Sequence, residues 1–163
     1  MTDTLKSICE QCPRLNAPQL DFIPQEAARQ EVIIRRDLRE LVVVASEELP
    51  RSVVLLAGSL FESVLFSFLS GQTAFISSIR RAEFVFDPSM TLQNFKEIFN
   101  RYFRRAIPGS ELPDLIVEYR NTIHINREMA WPEDVCTRAS ADLLRILDKL
   151  LADLTNFVSA APG

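Results

Sequence analysis

The run VVLLAGSLFESVLFSFL, Val53 to Leu69, decides the fold. It is short for a membrane span and carries Glu62 in its middle, where an ionised carboxylate in lipid would be costly. A helix buried on most sides of a helical bundle fits it better. Within it, Ala57, Gly58 and Ser59 have little or no side chain, so a neighbouring helix is expected to approach closely there. Glu62 then needs a partner, because an unpaired charge among apolar groups is expensive. Arg120 is the partner expected.

Outward from this run the chain reads as further helices. Pro50 marks the break before it and Gly71 the stop after it. Upstream, EAARQEVIIRRDLRELVVVASEEL predicts a long helix beginning near Pro24, with Val32, Ile33, Leu38, Leu41, Val42 and Ala45 on its apolar face and Arg35, Arg36 and Arg39 opposite. Residues 1–23, with Pro13 and Pro18, predict a short helix followed by an extended arm, leaving 24–160 as the bundle. Downstream, a short helix is expected to end around Arg80 and Arg81, with Ala82 to Phe86 extended and a turn at Asp87-Pro88-Ser89. Thr91 then caps a helix through LQNFKEIFNRYFRRA, with Leu92, Phe95, Ile98, Phe99 and Tyr102 or Phe103 inward. After Pro108-Gly109-Ser110 a helix starts near Pro113 and ends around Ile125 to Arg127. Pro132-Glu133-Asp134 opens the last helix, where Leu143, Leu144, Leu147, Leu150, Leu151 and Leu154 form a stripe. The expectation is an all-α bundle of five main helices with accessory short ones.

Composition agrees. The 163 residues suffice for one domain, and 47% hydrophobic with 25% charged residues is ordinary for a globular protein. Only four glycines occur, which disfavours a many-stranded architecture. A net charge of −4 excludes a globally basic nucleic-acid coat but leaves room for a local patch. Cys9, Cys12 and Cys136 make no disulfide framework, and the start has no secretory pattern, so a reducing cytoplasm is expected. Cys9-Glu10-Gln11-Cys12 is a lone CxxC. A zinc site would have to recruit Cys136 and His124 from far along the chain, and two reduced thiols is the better reading. No metal, cofactor or membrane partner is expected.

The chemistry-bearing stretch is Glu118-Tyr119-Arg120-Asn121-Thr122-Ile123-His124, which holds the chain's only histidine. Arg is a permanent cation that grips phosphate, and His moves protons near neutral pH. Residues four apart share a helical face, so Arg120 and His124 point into one space. Two readings stand side by side. In one, Arg120, Asn121 and His124 form a reactive or binding trio. In the other, Arg120 pairs with Glu62 or Glu118, Asn121 caps the following loop and His124 donates to a carbonyl. Arg101, Arg104 and Arg105, interleaved with Tyr102 and Phe103, read either as a small nucleic-acid patch or as a solvated helix end.

On LLAGSLFESVL (Leu55 to Leu65) and on DLIVEYRNTIH with the Leu-rich closing helix (Asp114 to Leu151), the chain resembles the HEPN superfamily, the higher-eukaryote and prokaryote nucleotide-binding helical domains. These stretches cover about half the chain. The resemblance implies a homodimer and, in many members, a metal-independent endoribonuclease of toxin–antitoxin or phage-defence systems. The family signature is Arg, four to six residues, then His. Here three residues separate Arg120 from His124, nearer a shorter RNxxH form seen in HEPN-like families of unknown function, although Ile125 stands where that form has Pro.

In the dimeric mechanism the resemblance implies, one His takes the ribose 2′-OH proton, the other protonates the leaving 5′-oxygen, and Arg120 stabilises the phosphorane. Asn121 orients the groups. Glu62, Tyr119, Arg101, Arg104, Arg105 and Arg127 would support the site or bind RNA. The alternative is a non-catalytic HEPN-like module for a protein partner, such as an antitoxin, or for a nucleotide-like ligand.

Overall fold

The computed structural model describes residues 3–125 and 132–160, with side chains throughout except at 122–125 and 133. Among the described residues every regular element is helical. The central one is α4 (Pro50–Ser70), with Pro50 in its first turn, where a missing N–H costs nothing. It packs against α3 (Ala28–Ser46), α6 (Leu92–Phe103), α7 (Leu115–Ile125) and α8 (Glu133–Ala160). This is why it is apolar on most sides: Val53, Val54, Ala57, Gly58, Leu60, Phe61, Val64, Leu65, Phe68 and Leu69 are all buried. By length and composition α4 could cross a membrane, yet 61% of its most apolar window is buried against the other helices.

These five helices are the main ones expected. The Leu stripe of α8 is buried from Leu143 to Leu154. Thr91 and Asn94 form a reciprocal capping box at the start of α6, which fixes where that helix begins. Aromatic rings fill the space between α4, α6, α8 and the short α5 (Thr73–Arg80): Phe68, Phe75, Phe99, Phe103 and Phe157 meet in edge and stacked contacts. Offset and edge-on geometries suit the ring quadrupole.

The N-terminal segment contains two short helices rather than one, α1 (Leu5–Glu10) and α2 (Pro13–Asn16), both against α3 and α8. Leu20, Phe22 and Ile23, in the arm that follows, are buried in the common core. Side chains of the body cap these helices. Glu48 takes the Leu5 and Lys6 N–H groups, each at 3.0 Å, and Asp148 takes the Arg14 and Leu15 N–H groups at 2.7 and 3.2 Å. Each carboxylate thereby satisfies donors that a helix start leaves open.

Two expectations need correction. A 3-10 turn, Gln25–Ala27, precedes α3, so the regular helix begins at Ala28. The buried face of α3 is Ile34, Leu38, Leu41 and Ala45, while Val32 is 68% exposed and Ile33 36%. In the run Val32-Ile33-Ile34 three apolar residues in a row cannot all face one side of a helix, and the phase set by Leu38 and Leu41 selects the third. Residues 82–86 lie outside any helix, between α5 and α6.

Candidate functional site

Helices α4 and α7 meet at Gly58. A Cβ built there would lie 3.1 Å from Arg120 Cγ and 3.4 Å from its Cβ, so the stem of Arg120 lies directly on the glycine. Ile116, one turn earlier on α7, is fully buried and anchors the same face. Glu62, one turn after Gly58, then meets the end of the Arg120 side chain: Nη2 donates to Glu62 Oε2 at 3.1 Å. Glycine at 58 permits the approach, and the spacing of 58 and 62 matches the length of the arginine.

The two side chains are 35% and 36% exposed. Water therefore screens the pair, and it belongs with partly exposed ion pairs rather than buried ones. Neither ion is stranded in an apolar interior, and neither is fully open to solvent. Among the described residues Arg120 makes no other hydrogen bond, leaving donors of its five-donor fork unused on that count.

The segment leading into α7 is held from α6. Asn100 donates its amide to the Leu112 carbonyl at 2.9 Å and accepts the Leu112 N–H at 2.8 Å, bonding one residue's backbone from both sides. Lys96, buried on α6, pairs with the exposed Asp114 just before α7. These contacts set the register in which Arg120 reaches Glu62.

The other site candidates are distributed. Asn121 is exposed beside Arg120, and Tyr119 is half-buried against the core. His124 stands on α7 one turn beyond Arg120, but its side chain lies outside the described residues, as does the whole of Arg127. Arg101 is exposed in the last turn of α6, with Arg104 and Arg105 exposed just after it. Between them Phe103 is fully buried on Phe75 and Phe99, so it offers no free face for a base. Among the described residues no hydrogen bond or ion pair joins these three arginines to Arg120 or Glu62.

Two open grooves flank Met90. One, of about 410 Å³, includes Glu62, Ser59, Phe66 and Phe95; the other, of about 370 Å³, includes Arg101, Asn94 and Glu97. Neither was visible in the sequence. In the first, Ser59 and Glu62, spaced as one helical face, are positions of α4 that the bundle leaves partly open.

Cys9 and Cys12 are buried and unbridged. Burial, with Asp148 nearby, pushes the Cys12 thiol up to about 11, and burial raises Cys9 as well. Both are therefore protonated and poor nucleophiles or metal ligands at neutral pH. Among the described residues no group of three His, Cys, Asp or Glu side chains is arranged to hold a metal ion.

No family model, curated protein or solved structure matches the chain.

Proposed function

We propose that this chain is a HEPN-like helical module that works by binding, with the Arg120 and Asn121 end of α7 as its presenting surface, for a protein partner or a nucleotide-like ligand. The observation that carries the reading is the Glu62–Arg120 pair at 3.1 Å over Gly58. A guanidinium already bonded to a carboxylate brings little net charge to a phosphorane, so its main effect is to fix α7 on α4 and hold the exposed Asn121 in place. The short Arg120-to-His124 spacing points the same way. Free, buried Cys9, Cys12 and Cys136 suit a reducing cytoplasm.

A second reading, a metal-independent endoribonuclease of toxin or phage-defence type acting as a homodimer, draws support from one feature. Arg120 is about a third exposed and uses a single donor among the described contacts, which leaves part of its fork able to meet phosphate. Incubating the full chain with mixed single-stranded and structured RNA in EDTA separates the two. The binding reading expects intact RNA with wild type and with His124→Ala alike. Cleavage that disappears in a folded His124→Ala variant would overturn it in favour of the nuclease.

A further inference from the structure

The CxxC at Cys9 and Cys12 takes no part in the α7 surface, yet its two cysteines are set in one fixed turn. The Cys12 N–H donates to the Cys9 carbonyl at 3.0 Å, closing the turn between α1 and α2. Such a turn holds its first and fourth Cα atoms less than about 7 Å apart, which is the reach of a disulfide. Asn16 fastens the same turn, its amide donating to the Cys9 carbonyl at 2.8 Å and to the Cys12 carbonyl at 2.9 Å. The sulfurs are nevertheless unbridged, and both residues are 3% exposed. Burial, with Asp148 close by, keeps both thiols protonated.

What shields the pair is the seating of α1 and α2 on the body. Helices of six and four residues are too short to stand alone. They hold because Leu5, Ile8 and Leu15 are buried where the segment meets α3 and α8, and because remote side chains bind its backbone and its start. Glu48 and Asp148 cap the two helix starts, Arg145 reaches Asp3 at 3.7 Å, and Thr155 Oγ1 donates to the Gln19 carbonyl at 3.0 Å. None of these contacts is internal to a helix of the body. Cys136 is equally buried, at 3%, but lies near the start of α8, roughly three turns before Asp148.

We infer that Cys9 and Cys12 form a redox latch: seated, α1 and α2 protect the dithiol, and once lifted off α3 and α8 the pair closes to a disulfide that keeps the segment off. Off the body the thiols regain their ordinary range, which supplies thiolate at slightly alkaline pH. The oxidant is a low-molecular-weight disulfide of the glutathione type. One cysteine thiolate attacks a sulfur of that disulfide, forming a mixed disulfide and expelling one glutathione thiolate. The second cysteine thiolate attacks the protein sulfur of the mixed disulfide and expels the other. The two cysteine protons end on the two glutathione thiols, so the chain loses two hydrogens. In the new bond the sulfurs stand about 2 Å apart, well inside the contact distance of two packed thiols, so the oxidised turn no longer fills the close-packed sites it left. Transient, sensing disulfides are the kind a reducing cytoplasm permits.

Oxidised glutathione added to the full native chain tests the latch, read by intact mass, peptide mapping and trypsin. Expected is the loss of two hydrogens, mapped to a Cys9–Cys12 bond, while Cys136 stays a thiol. Closure should run about fivefold faster or more in Asp148→Ala and in Glu48→Ala, each of which removes one cap. Either cap variant serves if melting shows the other unfolded. Cys12→Ser should stop at a glutathione mixed disulfide on Cys9. Trypsin should cut the oxidised chain after Lys6 and Arg14 with the bundle intact, and dithiothreitol should restore resistance. Thiols that stay unreacted in a folded cap variant would overturn the latch. So would Cys136 reacting as fast as Cys9 and Cys12, since global opening bares all three alike. A disulfide that forms but leaves trypsin resistance unchanged would overturn it as well.

Discussion

Gly58→Ala adds one methyl group where two helices touch, and its sign depends on Arg120. Alanine in place of glycine in a helix interior gains about 1 kcal/mol of propensity. Against that, the new Cβ would sit 3.1 Å from Arg120 Cγ, with Arg120 Cβ at 3.4 Å and Cα at 3.8 Å behind it. Because the backbone of α7 lies so close behind, the stem cannot simply swing aside. Either α7 shifts by a few tenths of an ångström or Arg120 leaves the geometry that reaches Glu62. Overpacking of this kind costs about 1–3 kcal/mol, so the net effect is a loss of about 1 kcal/mol. For a chain this long that lowers the melting temperature by about 2–4 °C. In an Arg120→Ala background the nearest Arg120 contact disappears and the propensity gain should emerge, making Gly58→Ala stabilising by about 1 kcal/mol. Chemical denaturation of the four proteins measures both numbers. Equal effects of Gly58→Ala in the two backgrounds would refute the packing of Arg120 on Gly58.

Two further outcomes follow from contacts away from that crossing. Asp114→Asn should destabilise by about 1–2 kcal/mol, since it strips the buried Lys96 of its charge partner, whereas Lys96→Met should be close to neutral; denaturant midpoints showing the reverse order would remove the pair's role before α7. The Lys6 and Leu5 N–H groups hold the Glu48 carboxyl below the usual carboxylate range, so its contribution is complete above that range and is lost as pH falls through the lowered folded value. Glu48→Gln should therefore flatten this part of the acid unfolding curve, and a wild-type-like acid dependence of Cys9 and Cys12 labelling by a pyridyl disulfide would contradict the cap.

Legibility in the sequence followed how local each cause was. The start of α6 needed only Thr91 and Asn94, three residues apart, and the closing helix only its Leu repeat. The meeting of α4 with α7 was also readable, because a glycine and a carboxylate in an apolar helix ask for a close neighbour and a cation. Other features depend on residues remote in the chain. Lys96 reads as a surface lysine until Asp114 is brought to it, and Asp148 as a solvated position until α2 arrives 133 residues away to be capped. The sequence left Tyr102 and Phe103 as alternatives for the inward position, and Phe103 takes it because Phe75 and Phe157 from other helices meet it there. Val32 and Ile33 were misplaced because helical phase in an apolar triplet is fixed only by what the helix packs against.

The pairing of Glu62 with Arg120 is the joint on which the account of the site turns, and a double-mutant cycle of Glu62→Ala and Arg120→Ala measures it most directly. With both side chains about a third exposed, the coupling energy should be about 0.5–1 kcal/mol, with the single variants each less stable than wild type and the double variant less destabilised than their sum. Strict additivity, with no coupling between the two positions, would contradict the account and leave α7 held on α4 by apolar packing alone.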